Sequence, residues 1–146
     1  MIAPLEEDRQ LAETANCLCF NSRRAARAIT RAFDRELRRH GIRATQFTLL
    51  ALLELRGDLS IGALAEYLAV ERTTLTRNLA VAEEQELVRV RPGEDARERI
   101  VTITTKGRAT LRKAFPTWRK VQSALIAEMG SQAVDSMRKV ARAVPG

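Results

Sequence analysis

Aromatic residues are scarce in this chain, which holds one Trp, one Tyr and four Phe among 146 residues. That supply is thin for a carbohydrate or aromatic-cofactor site and predicts a mostly aliphatic core. Histidine occurs once, at His40, and cysteine twice, at Cys17 and Cys19. A zinc site is not expected, because one His and two opposed cysteines do not converge on a tetrahedron. Two residues apart on an expected helix, Cys17 and Cys19 point to nearly opposite sides, so a disulfide between them is not expected either. No apolar run approaches the ~18 residues of a membrane span, and "MIAPLEEDRQ" lacks the basic start and apolar stretch of a signal peptide. A cytoplasmic protein is the expectation. No Ser/His/Asp order, phosphate loop or paired-carboxylate motif stands out, so neither catalysis nor a cofactor is expected.

Lysine is also scarce, with 4 Lys against 21 Arg in a chain of net charge +7. The excess is therefore forked guanidinium, which suits phosphate-rich partners. At this length one domain is expected, with the whole of 1–146 as its span.

Apolar residues recur three or four apart from Glu7 to His40, through Leu11, Ala15, Leu18, Ala25, Ile29, Phe33 and Leu37, which predicts one long amphipathic helix closed by Gly41. "TQFTLLALLELRG" predicts a second, mostly buried helix ended by Gly57. Ser60 caps a short third helix with Ile61, Leu64, Ala65 and Leu68 on one face. Val70 is expected to carry the turn into a fourth, "ERTTLTRNLAVAEEQEL", with Leu75, Leu79 and Ala82 facing inward. The period then changes from 3.6 to 2, so "LVRVR" and "RIVTIT" predict a two-stranded hairpin with a charged tip, "PGEDARE". Leu111, Phe115, Trp118, Leu125 and Met129 return to helical spacing, with Pro116 expected to kink the helix or divide it. A final helix starts near Ser131 and carries Val134, Met137, Val140 and Val144.

Two short helices joined by a tight turn and followed by a basic-tipped hairpin make a winged helix-turn-helix. The fold class expected is mainly α with a small β-hairpin wing, flanked by N- and C-terminal helices. In such a motif the second helix enters the major groove of double-stranded DNA, where Arg72, Thr73, Thr76 and Arg77 can reach base edges. Tyr67 and Thr74 suit phosphates. Pro92 and Gly93 turn the wing outward, and Arg97 is expected to enter the minor groove. Asp95 is expected to hold the Arg97 guanidinium extended, while Arg99, with Arg91 or Arg89, reaches flanking phosphates. Bulk charge does not mark this face, since residues 71–108 hold eight cations and seven acids. A denser stripe, Arg24, Arg27, Arg31, Arg35 and Arg38, lies on the first helix. It reads as a solvated face, or as a flank to DNA or to an anionic ligand.

Nearly the whole chain resembles the MarR-type bacterial transcription regulators. The resemblance rests on "TQFTLLALLE", "LSIGALAEYLAVERTTLTRNL" and above all "DARERIVTITTKGR", whose Asp95, Arg97, Val101, Ile103, Thr104, Lys106 and Gly107 match the family's wing signature. It implies a homodimeric repressor on a pseudopalindromic operator, released by a small amphipathic ligand or an oxidant. Dimerisation helices then occupy about 7–40 and 108–146, with the winged helix-turn-helix over about 44–106. "CLCFNSRRAAR" resembles the opening of the peroxide-sensing subgroup, which implies a reactive Cys19, with Cys17 beside it. That subgroup's activating tyrosines are absent, Ala44 and Phe47 standing in the region concerned. Phe20, Phe33, Phe115 and Trp118 are candidates to line a ligand pocket, with plain core packing as the alternative. The chain departs from the family at Glu86, where Gly is usual, and Glu71 is a weak choice for a helix cap. The rival to a regulator is a non-regulatory architectural or protein-docking winged helix.

Overall fold

The computed structural model describes residues 6–144. Their order is α1 (Glu6–Ala12), α2 (Leu18–Leu37), α3 (Ala44–Arg56), β1 (Leu59–Ser60), α4 (Ile61–Leu68), α5 (Arg72–Glu84), β2 (Val88–Pro92), β3 (Arg99–Ile103), α6 (Thr105–Met129) and α7 (Ala133–Ala143).

The helix expected over 7–40 is interrupted. After α1 the chain tightens into a 3-10 turn, Glu13–Asn16, and Cys17 then takes φ −61° and ψ 124°, an extended conformation. Short polar side chains hold this break. Thr14 Oγ1 donates to the Leu11 carbonyl at 2.7 Å, and Asn21 Nδ2 donates to the carbonyls of Ala15 and Cys17 at 2.8 and 2.9 Å. Such side chains compete with the helical ladder for backbone groups, an effect that apolar spacing does not register. With Cys17 off the helix, helical geometry no longer sets the two cysteines on opposite sides.

Leu37, Leu50, Leu53, Leu64, Leu75, Val88 and Val101 are each under 2% exposed. They come from α2, α3, α4, α5 and both long strands, so one core ties the helix-turn-helix to the wing, and Leu111 and Ala114 of α6 close it. At about 1.5–3 kcal/mol for each buried aliphatic side chain, this cluster orients α5.

The sheet has three strands in the order β1-β3-β2, all antiparallel, rather than the expected two. Val88 faces Ile103 and Val90 faces Val101, while Leu59 also pairs with Val101 from the other side. A two-residue strand is too short to carry a period, which is why the alternation missed β1.

The turn between α4 and α5 is made by Ala69, at φ 51° and ψ 46°, and not by Val70. Val70 packs against the core, and its N–H bonds the Ala65 carbonyl at 3.1 Å. Glu86 likewise keeps a left-handed backbone, φ 59°. The departure from glycine has not rerouted the chain, so the cost stays as local strain. Helix α6 runs undivided through Pro116. Trp118 stacks on Phe47 at 5.6 Å and on Phe115 at 5.5 Å, bracing the helix where the proline removes a backbone bond. Among the described residues no helix is long and apolar enough to cross a membrane.

Candidate nucleic-acid interface

Leu75, Leu79 and Ala82 bury one side of α5, and helical geometry then turns Arg72, Thr73, Thr76 and Arg77 outward, all of them exposed. Thr74 is exposed beside them. Thr76 Oγ1 donates to the Arg72 carbonyl at 2.8 Å. Its hydroxyl proton is thereby spent on its own helix, leaving a methyl group and acceptor lone pairs for a partner. The Glu71 side chain makes no capping bond, as its residue type predicted. Tyr67 is about half exposed, and Arg56 lies over its ring at 5.3 Å.

Two carboxylates lock the wing to the body. Glu83 Oε2 accepts the Val90 N–H at 2.9 Å, pinning β2 to α5, and Arg91 Nη2 donates to Asp58 Oδ2 at 2.8 Å. Arg91 is thus engaged inside the protein, whereas Arg89 is exposed. Neither pair has a sequence signal, since Arg91 and Asp58 lie 33 residues apart.

At the tip, Gly93 N–H bonds the Glu98 carbonyl at 2.8 Å and Glu98 N–H bonds the Asp95 carbonyl at 2.9 Å. Asp95 Oδ1 accepts the backbone N–H of Arg97 at 3.0 Å. That corrects the expectation that Asp95 grips the guanidinium. A carboxylate two residues upstream meets the backbone N–H first, in an Asx-type turn, and the Arg97 side chain is left exposed.

The tip, the strand and the helix-turn-helix converge on a crevice of about 420 Å3, where Arg72, Thr76, Asp95, Arg97 and Arg99 meet Gly62. Residues expected to serve the major groove, the minor groove and a phosphate therefore share one surface.

A larger cleft, about 1220 Å3, opens between α2 and the helix-turn-helix. Arg31, Arg35, Arg38 and Arg43 line it over an aliphatic floor that includes Leu49, Leu68 and Leu75. Gln46 and Gln85 hydrogen-bond across its inner end, and Gln85 Nε2 also reaches the Gly41 carbonyl at 3.2 Å. Ala44 N–H donates to Asp34 Oδ1 of α2 at 2.7 Å. The arginine stripe hinted at this wall; nothing in the sequence marked the glutamines.

Phe20, Phe33, Phe115 and Trp118 are not among the residues lining the cleft. Phe33 belongs to the core, Phe115 and Trp118 form the stack against α3, and Phe20 is half exposed under Arg24. Both Cys17 and Cys19 are free and exposed.

Comparison with known proteins agrees with the winged helix-turn-helix fold. A family model described as the MarR family matches residues 40–98. The M. tuberculosis transcriptional regulator MosR, solved in complex with DNA, is 44% identical, with a TM-score of 0.78 over 86% of this chain and 92% of that one. The Bacillus subtilis HTH-type regulator YwoH is 29% identical over 104 residues, 71% of this chain and 76% of its own length. A mutant MarR from E. coli, solved with operator DNA, shares the fold at 20% identity, with a TM-score of 0.77 over 91% of this chain and 98% of that one.

Proposed function

This chain belongs to the MarR family of DNA-binding transcription regulators, and from that premise we propose that it is a cytoplasmic, homodimeric repressor released from its operator by a small amphipathic ligand. One observation carries the DNA-binding mode: Arg72 and Thr76 on the exposed face of α5 share a crevice with Arg97 and Arg99 of the wing. Arg72, Thr73, Thr76 and Arg77 face the base edges in the major groove, and Arg97 enters the adjacent minor groove. Arg89 and Arg99, with Thr74 and Tyr67, serve the backbone.

Dimerisation is supported by apolar surface that one protomer leaves bare. Helix α7 has no buried residue, and Met137, Val140 and Val144 are 48%, 50% and 67% exposed. Leu11, Leu18 and Phe20 near the other terminus are exposed too. A second copy covers both sets symmetrically and sets two recognition helices about one DNA turn apart. The cleft supports the ligand: four guanidiniums over an aliphatic floor suit an anion with an apolar body.

A second reading, a thiol-based peroxide sensor, is favoured by the exposure of Cys17 and Cys19. In that reading the Cys19 thiolate attacks the terminal oxygen of a hydroperoxide, an S–O bond forms as the O–O bond breaks, and the products are a sulfenic acid and an alkoxide that takes a proton from water to leave as the alcohol.

Gel-shift titration on DNA from upstream of the protein's own coding sequence tests the proposal. Saturable, sequence-selective binding of one dimer is expected. Sequence-indifferent binding, or none, refutes regulation and favours an architectural or protein-docking winged helix.

A further inference from the structure

The side chain of Arg72 lies back across the first turn of α4. Its Nη2 is 2.6 Å, and its Cζ 3.5 Å, from the point that a Cβ on Gly62 would occupy. Only a residue without a side chain leaves room for this pose. Gly62 lies in the first turn of α4 and is not among the positive-φ positions, so no backbone requirement calls for glycine there. What its absent side chain provides is the berth for a guanidinium.

That berth opens into the crevice shared with Arg97 and Arg99. Three guanidiniums face two carboxylates there: one oxygen of Asp95 accepts the Arg97 N–H, and Glu98 Oε2 lies against Gly93 at the wing tip, which leaves the crevice with an excess of positive charge. With a recognition helix in the major groove and a wing in the neighbouring minor groove, the space between them faces the phosphodiester strand that divides the two grooves. A guanidinium drawn back into that space meets phosphate oxygens rather than base edges.

We infer that the crevice is a seat for a backbone phosphate, held by Arg72 and Arg99, and that Gly62 is the positioning residue that sets Arg72 there. The inference rests on α5 and the wing straddling DNA as proposed above. It moves Arg72 from the base readers to the backbone clamp.

The test uses full-length protein and two duplexes, one from upstream of its own coding sequence and one scrambled, titrated by fluorescence anisotropy over a salt series. Arg72→Ala is expected to weaken binding to both duplexes by the same factor, about 5- to 20-fold, and to lower the slope of log affinity against log salt by about 1. Gly62→Ala is expected to give the same pattern without a lower melting temperature, since alanine favours the helix and only the end of a flexible side chain must move. The double variant binds no more weakly than Arg72→Ala alone. A loss by Arg72→Ala confined to the upstream duplex, with the salt slope unchanged, makes it a base reader and overturns the phosphate seat. Arg72→Ala with wild-type affinity overturns it as well. Gly62→Ala that binds like wild type, or whose loss adds in full to that of Arg72→Ala, overturns the positioning role. Equal wild-type binding to both duplexes refutes the selective regulator, while the clamp is still decided by the variants.

Discussion

A Cβ on Gly107 would stand 2.1 Å from the carbonyl oxygen of Leu87, so helix α6 and the residue leading into β2 touch backbone to backbone. Thr104 closes the same joint: its Oγ1 donates to the Glu86 carbonyl at 2.6 Å and accepts the Gly107 N–H at 2.9 Å, while its own N–H bonds Leu87 O at 3.1 Å. Thr104 and Gly107 of the wing signature thus form the joint between the wing and α6. Since the obstacle is main chain and cannot rotate away, Gly107→Ala is expected to destabilise the protein by about 2 kcal/mol or more. Urea denaturation measures it, and a loss below experimental error would show that the joint yields.

Among the described residues two that are not glycine hold left-handed backbones, Ala69 at φ 51° and Glu86 at φ 59°. Replacing either with glycine relieves a strain of roughly 1–2 kcal/mol against a glycine entropy cost of about 0.5–1 kcal/mol. A gain of about 0.5–1 kcal/mol is expected at each site. Glu86 also lies 3.6 Å from Lys106, but this pair is exposed and adds little. Thermal melts that show either variant less stable than wild type would contradict the strain argument.

Arg97→Ala is expected to weaken operator binding by about 1–3 kcal/mol, as loss of one groove contact, with the oligomeric state unchanged by size-exclusion chromatography. Asp95→Asn separates two roles for its neighbour. An asparagine oxygen still accepts the Arg97 N–H, so near-wild-type binding is expected if Asp95 acts through the backbone turn. A loss as large as that of Arg97→Ala would restore a direct grip on the guanidinium.

If the cleft is the effector site, aromatic carboxylates should loosen the operator complex of the wild-type protein. Arg35→Ala, which removes one wall guanidinium, should raise the ligand concentration needed, by about the 1.5–3 kcal/mol of a charge-assisted bond or less. Titration of ligand into a preformed complex gives the shift; an identical midpoint in the variant removes Arg35 from the site.

Hydroperoxide separates the thiol reading from the ligand reading. It should weaken operator binding by the wild type, and Cys19→Ser should abolish that response. A response that persists in the variant ends the assignment of Cys19, and Cys17→Ser then shows whether the neighbouring thiol carries it.

Much was legible before any fold was drawn. Leu75, Leu79 and Ala82 mark the buried side of α5, and Gly41 and Gly57 mark helix ends, because helical spacing and positive φ are local chemistry. Ser60 caps α4 by accepting the Ala63 N–H at 3.1 Å for the same reason. The break at Cys17 was hidden, since it depends on which backbone groups Thr14 and Asn21 capture.

The candidate interface divides along the same line. Sequence by itself determined which faces are apolar, which residues turn outward on α5, and where the wing reverses, because each follows from a period or a turn preference within a few residues. Only the tertiary structure decided that Asp58 takes Arg91, that Gln46 meets Gln85 across 39 residues, that Arg72 lies over Gly62, and that the stripe of α2 becomes a cleft wall. Those outcomes depend on how the shared core of Leu37, Leu50, Leu64, Leu75 and Val101 sets the elements against one another. Side chains distant in sequence find their partners only after that packing has fixed the distances between them.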